Sequence, residues 1–409
     1  MLDVDVALDR ILAAFSPLPP ESVPILEARG RVLAADVTAR ENVPPFRNSA
    51  MDGFAVRCAD VAAATWDDPV ELPVTAHVVA GDSEIPSLGE RQAIRIMTGA
   101  PLPLGADAVV RFEETDEAGV AAATRRGTVR IFRPPAPLDN VREAGEDIQV
   151  GRVILRRGRV LGPPDLGLLA SVGQPAVPVH RRPRVAVLST GDEVVVPGVA
   201  LTPGKIRDSN AFVLGAMAER WGADVRLLGI ARDTVADLTG RLQEARDADL
   251  IVTSGGVSLG DFDFVKDVLR SEGEVAIWQV RMKPGKPLAF GRIAGVPLLG
   301  VPGNPVAAAV SFLLFGRPAI RRMLGDPCLE QSLIDVETAE AIDNRGYRRH
   351  FVRVRLEGRS DGPPIARSVG EQGAGVLSSL AAANALLVVP EDRESVPAGA
   401  RLRAIPLDW

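Results

Sequence analysis

Glycines, two hydroxyls and two carboxylates crowd into one short stretch, "SGGVSLGDFD" (254–263). A glycine-rich turn between a strand and a helix presents free backbone N–H groups that hold anions, yet Asp261 and Asp263 sit beside it. A phosphate-like anion together with a divalent cation held on the carboxylates reconciles the two. Taken alone, either aspartate is equally an ordinary helix cap. Three further turns carry compatible chemistry. "STGDE" (189–193) supplies Thr190, Gly191, Asp192 and Glu193, its glycine letting a ligand approach the backbone; by itself such a turn is more often structural. "MKPGKP" (282–287) puts Lys283 and Lys286 on a proline-stiffened turn that alone reads as solvated surface. "VPGNP" (301–305) places Gly303 and Asn304 before an apolar helix, with Asn304 a plausible cap and Pro305 in the first turn. Each motif is weak. Together, with Ser254, Gly255, Gly256 and Ser258, they describe a pocket with amide donors, lysines for an anion and acids suited to Mg²⁺.

These turns fall where strands alternate with helices. Residues 184–189 read as a strand, followed by a helix over 210–221, the strand "DVRLLGI" (224–230), a helix over 235–246, the strand "DLIVT" (249–253) and a helix over 264–270. That alternation implies a mostly parallel sheet with helices on both faces, and ligands on such sheets bind at the carboxyl ends of the strands. The chain outside this unit has another texture. An N-terminal helix carries Leu8, Ile11, Leu12 and Phe15 at helical spacing and stops at "SPLPP". From residue 46 to 139, short β-like runs ("FAVRCADV", "VELPVTAHVVA", "AIRIMTGA", "ADAVVRFEE", "GTVRIF") alternate with Gly/Pro punctuation. A helix is expected over 158–173, and after residue 322 short strands return in "RRHFVRVRLEG" and "ALLVVPED". The expected architecture is multidomain α/β plus β: residues 1–45 with 140–177 as a discontinuous helix/strand domain, 46–139 as a β-rich module inserted in it, 178–325 as the α/β domain, and 326–409 as a small C-terminal β module.

Composition narrows the function classes. With a formal net charge of −6, a broad nucleic-acid-binding surface is not the expectation. Cys58 and Cys328 are the only cysteines and stand far apart, which supports neither a disulfide framework nor a zinc ribbon and fits a reducing cytoplasm. The longest apolar run, near residues 306–315, is far short of the roughly 20 residues of a membrane span. His77, His180 and His350 form no triad or zinc-ligand spacing. Neither a Walker A sequence nor GxGxxG occurs, so a standard nucleotide fold is not indicated.

In order along the chain stand "NSAMDGFAV", "IRIMTGAPLPLGADAVV", "STGDE", "SGGVSLGDFDF", "MKPGKPLAFG" and "PGNPVAA". This series resembles the molybdopterin molybdotransferases, the MoeA and gephyrin E-domain family, over nearly the whole chain. The resemblance implies an elongated homodimer of four-domain subunits that inserts molybdate into adenylylated molybdopterin and releases AMP with help from a divalent metal. It implies a cleft between the α/β domain of one subunit and the β module of the other. Asp52 and Thr98, on their own ordinary turn residues, then match residues facing that cleft from the partner chain. Glu193, Asp233 and Asp263 match its acids and are the expected Mg²⁺ ligands; Lys283, Lys286 and Arg353 match its molybdate cradle; Asp147 matches a further acid. Two positions depart from the pattern: Gln279 stands where many members have lysine, and Ala374 where they have serine. Arg281 compensates for Gln279 if it faces the pocket. Two rival readings are an enzyme that adenylylates molybdopterin, whose simpler fold lacks the segments before about 175 and after 324, and a non-catalytic pterin-binding scaffold.

Overall fold

The structure is a computed structural model that describes residues 1–119, 127–256 and 273–409. At its centre a six-stranded sheet runs in the spatial order Asp224–Ala231, Arg184–Thr190, Leu250–Ser254, Val296–Val301, Pro287–Ile293, Gly273–Gln279. The first four strands are parallel to one another, and the last two join antiparallel. "RVAVLS" and "LIVTS" are apolar nearly throughout because a parallel strand is covered on both faces. Alternate residues serve opposite layers. Val185, Val187, Leu250 and Val252 pack with Ala211, Leu214 and Phe312 on one face. Ala186, Leu188 and Ile251 meet Leu238 and Leu242 on the other. The helices Asn210–Arg220 and Val235–Gln243 therefore lie on opposite sides of the sheet. The helix expected at 264–270 lies outside the described residues.

The chain leaves the strand Arg184–Thr190 toward one edge and later returns to its other side with Leu250–Ser254. This reversal makes the carboxyl ends of those two strands the topological switch point, where a crevice opens.

The β-rich module holds a five-stranded sheet ordered Ala108–Arg111, Gly53–Val56, Ala93–Ile96, Val70–Val78, Thr128–Ile131. "FAVRCADV" is strand only in its first half, since Cys58–Val61 turns into a short helix. Residues 1–45 and 140–180 pair through Pro20–Pro24 with Ala176–His180 and through Val37–Thr38 with Val153–Leu155. The helix expected over 158–173 is shorter, beginning only at Pro163 and ending at Ser171. Val160 is instead bridged to Val32 as extended chain.

At the C-terminus, Arg349–Glu357, Ile365–Ser368, Ile334–Thr338, Arg401–Pro406 and Ala385–Val389 follow one another, and the last pairs with the first, closing a barrel. Met282–Lys283 adds to this barrel alongside Arg349 and His350. The lysine turn is thereby stitched to the C-terminal unit while its flanking strands belong to the central sheet. The N-terminal helix Val4–Leu12 packs Val4, Ala7 and Ile11 into the central core. Arg349 grips its Asp5 through two bonds of 2.8 Å.

Candidate functional site

At the switch point a cleft of about 550 Å³ is lined by the loops at the ends of the parallel strands. Ser189, Thr190, Gly191 and Glu193 come from the first loop, Asp233 from the second, Ser254, Gly255 and Gly256 from the third, and Gly303 and Asn304 from the fourth. Arg207, Asp208, Ser209 and Asn210 add further polar groups to the wall, and Pro287, Pro302 and Pro305 stiffen it.

Two glycines make the close approaches possible. Gly255 has φ +91°, and a Cβ there would lie 2.9 Å from Thr190 Oγ1 and 3.0 Å from Thr190 O. No other residue fits between these neighbouring strand ends. Gly191 has φ +132°, and a Cβ on it would fall 2.5 Å from Glu193 Oε2. The Glu193 carboxylate thus lies folded directly over the Gly191 backbone.

Of the carboxylates at the cleft, Asp192 and Glu193 are exposed, Asp233 is half-buried and Asp208 is buried; Asp192, Glu193 and Asp233 form no ion pair with the described residues. Asp192 N–H donates to Asp233 Oδ2 (3.2 Å) and Asp233 N–H donates to Asp192 Oδ1 (3.3 Å), a reciprocal clasp between the first and second loops. Glu193 O accepts from Ile206 N–H (2.8 Å), while its carboxylate makes no hydrogen bond or ion pair with the described residues. Oxygen-only donors of this kind suit a hard cation such as Mg²⁺ rather than zinc. Among the described residues, no three acids, histidines or cysteines converge closely enough to hold a metal. Asp263, the third expected ligand, and Ser258 and Asp261 lie outside the described residues.

Asn304 occupies the N-cap position of the helix Pro305–Ser311, but its side chain caps nothing. Its backbone oxygen accepts from Ala308 N–H instead. The exposed amide therefore points away from the role its sequence position suggests and remains available to a ligand. Next to it, Val306 N–H donates to Ala374 O (3.0 Å), which docks the loop 371–375 on the helix start. That loop is held by Arg353, whose Nη2 donates to Glu371 O (2.8 Å) and Gly373 O (3.1 Å).

Arg353 is 1% exposed, and burial lowers its pKa with no neighbouring charge offsetting the cost. Its Nε has no partner among the described residues. A buried guanidinium without a carboxylate is costly, and an arriving anion relieves that cost. The lysine turn is close at hand, since a Cβ on Gly285 would meet Ser311 Oγ of the same helix at 2.5 Å. Lys286 immediately precedes the cleft-lining Pro287. Lys283 and Lys286 are half-buried and form no ion pair with the described residues. The three cations assigned to one cradle by resemblance are thus fastened to a common helix.

Asp52 and Thr98 are joined to each other. The Thr98 N–H and Oγ1 both donate to Asp52 Oδ1 at 2.7 Å. Those bonds, the backbone one foremost, hold the Asp52 carboxyl below its ordinary range. Both residues are exposed on the β module and neither lines the cleft of its own chain. Asp147 is also exposed and outside it. Arg281, expected to compensate for Gln279 if it faces the pocket, pairs with Asp3 (3.3 Å) and is not among the residues lining the cleft. Asp208 and Asn210 were not singled out from the sequence. The run "RDSNAF" before a helix was the available signal, and it reads first as capping. Asp208 does cap, its Oδ1 accepting from Ala211 N–H (3.1 Å).

Three family profiles match this chain nearly end to end. "MoeA N-terminal region (domain I and II)" covers residues 2–173, "Probable molybdopterin binding domain" covers 186–322, and "MoeA C-terminal region (domain IV)" covers 335–407. The chain belongs to the MoeA family of molybdopterin molybdenumtransferases. It is 42% identical over 398 residues to "Molybdopterin molybdenumtransferase 2" of Mycobacterium tuberculosis, with 94% of each chain covered. It is 35% identical over 415 residues to a molybdopterin molybdenumtransferase of Haemophilus influenzae, covering 100% of this chain and 99% of that one. A solved MoeA protein of Pyrococcus horikoshii superposes over both full chains with a TM-score of 0.86 at 33% identity. The MoeA-specific matches before 173 and after 335 lie outside the α/β unit, which sets this chain apart from an enzyme built of that unit alone. No helix among the described residues is long and apolar enough to cross a membrane.

Proposed function

We propose that this MoeA-family chain transfers molybdenum from molybdate to adenylylated molybdopterin and releases AMP, with Mg²⁺ as its cofactor, in the cytoplasm. The observation that carries this reading is the pairing of two sites on one helix. A switch-point cleft with uncompensated carboxylates meets the start of Pro305–Ser311, and a buried, uncompensated Arg353 reaches the same helix through the 371–375 loop. The first half suits an anhydride with a bound cation, and the second suits a tetrahedral dianion.

The backbone amides of Gly255 and Gly256 and the side chains of Thr190, Ser254 and Asn304 would hold the substrate, with Asp192, Gly191 and Gly303 shaping the wall. Glu193 and Asp233 would hold Mg²⁺, with Asp263 as the third ligand. When bound, that ion supplies charge neutralisation on the phosphoanhydride as AMP departs. Lys283, Lys286 and Arg353 would cradle molybdate, because its oxygens accept charge-assisted hydrogen bonds from ammonium and guanidinium groups. Cleavage then depends on positioning, since the cations fix the oxyanion beside the anhydride-bearing substrate. Asp52 and Thr98 lie off their own chain's cleft, so a second copy would present them in a homodimer with composite sites.

The test is the double substitution Glu193→Gln with Asp233→Asn. It should raise the Mg²⁺ concentration needed for half-maximal AMP release by at least tenfold. An unchanged Mg²⁺ requirement in the folded variant would remove these residues from the metal site.

A further inference from the structure

The cleft wall carries buried polar atoms that have no partner among the described residues. Asn210 is 9% exposed and its Nδ2 donates twice, to Ser254 Oγ (2.6 Å) and to Gly303 O (2.7 Å). A carbonyl can only accept, so the amide's NH₂ must face Gly303, and this fixes the amide orientation. Asn210 Oδ1 is then left buried and unpaired among the described residues. Ser189 is 2% exposed, and its Oγ is likewise unpaired. Strand alternation puts Ser189 on the same face as Val185 and Val187, the face covered by the helix that Asn210 begins. Both residues line the cleft. Buried polar side-chain atoms without partners are a small minority in folded proteins, and an amide oxygen and a hydroxyl lining one cleft point to a ligand that satisfies them.

We infer that Asn210 Oδ1 and Ser189 Oγ form a subsite for an N–H donor on an aromatic heterocycle, and that Asn210 sets ligand specificity. This inference rests on the functional reading above. An amide oxygen offers only acceptor capacity, so the group lodged there is a donor, and a carbonyl in its place would be repelled. Two parts of the proposed substrate carry such donors: the aminopyrimidinone edge of the pterin and the amino group of adenine. Asn210 also ties the third loop, through Ser254, to the fourth, through Gly303. The same side chain therefore holds the walls of the subsite at a fixed separation.

The experiment is equilibrium binding with two probe pairs that differ by an amino-to-oxo change. One pair is 6-hydroxymethylpterin and the corresponding lumazine; the other is AMP and inosine monophosphate. A site built to hydrogen-bond a donor rejects the analogue that lacks it. The wild-type chain should prefer the amino member of at least one pair by about tenfold or more, and the preferred pair identifies which ring is seated there. Ser189→Ala removes an oxygen with no partner among the described residues and should fold normally, while Asn210→Ala also breaks two bonds. In either folded variant the preference should fall to roughly threefold or less, that is, by at least about 0.7 kcal/mol. If the wild-type chain binds both members of each pair equally, or Ser189→Ala and folded Asn210→Ala keep the full preference, this inference fails and the functional reading stands. If the wild-type chain binds neither pterin nor nucleotide, the functional reading itself is overturned.

Discussion

Arg353→Met removes a guanidinium that is 1% exposed and has no charged partner among the described residues. Two stability effects oppose one another. The carbonyls of Glu371 and Gly373 lose their donor, but both residues are exposed, so water replaces most of what is lost. In the other direction, an uncompensated buried charge disappears, which is commonly neutral or stabilising. Fold stability should therefore change by no more than about 1–2 kcal/mol. Anion affinity has no such compensation. A charge-assisted hydrogen bond is worth about 1.5–3 kcal/mol, and burial of Arg353 spares that contact the screening that weakens exposed pairs. Molybdate affinity should fall about tenfold to a hundredfold. Arg353→Lys should be intermediate, because it keeps the charge and loses the planar fork. Isothermal titration with molybdate reads the affinity, and a circular-dichroism melt confirms the fold. Wild-type molybdate affinity in a well-folded Arg353→Met would show that Arg353 serves only to hold the 371–375 loop.

Four further outcomes follow from the same geometry. Mixing an Asp52→Ala subunit with an Asp263→Ala subunit should restore about one working site per heterodimer, and heterodimers that form without activity would place each site within one chain. Thr98→Val deletes the hydroxyl bond and keeps the backbone one, so the Asp52 carboxyl should rise only part of the way toward its ordinary value of 3.8 in an NMR titration; an unmoved pKa would mean that the Thr98 hydroxyl does not help to lower it. Burial, foremost, with Lys283 and Arg353 nearby, presses the His350 pKa down from 6.5 to about 4. The unfolded chain therefore binds the extra proton in that window, and stability should be full above pH 6.5 and fall by up to about 3 kcal/mol toward pH 4; His350→Gln should flatten that slope in denaturant titrations, and an unchanged slope would assign it elsewhere. Gln279→Lys with Ala374→Ser should lower the molybdate concentration needed for half-maximal turnover, and an unchanged or higher requirement would make both departures neutral.

The α/β alternation was legible because the strands Arg184–Thr190 and Leu250–Ser254 are short apolar runs, each closed by a Gly-bearing turn at its carboxyl end. Thr190, Gly191, Glu193, Ser254, Gly255, Gly303 and Asn304 could therefore be grouped before any coordinate. Arg353 is a different case. "FVRVRL" alternates as though its arginines faced solvent, yet Arg353 is buried and Arg355 exposed. Only the closure of the barrel and the docking of the 371–375 loop decide which arginine is inside, and both are long-range. Asn210 was hidden for a related reason: a polar residue before a helix reads as a cap, while its actual partners are 44 and 93 residues away. "FAVRCADV" misleads as a single strand because its apolar residues also suit one helical turn. The N-terminal helix showed its apolar face but not its destination, since amphipathic spacing carries no record of which core will cover it.

The most direct test of the account supplies adenylylated molybdopterin to the purified chain and follows AMP release while molybdate and Mg²⁺ are withheld in turn. The account predicts rapid release only when both are present, with loss on chelation and recovery when Mg²⁺ is restored. AMP formed equally fast without molybdate and after chelation, or no AMP under any condition, would contradict it.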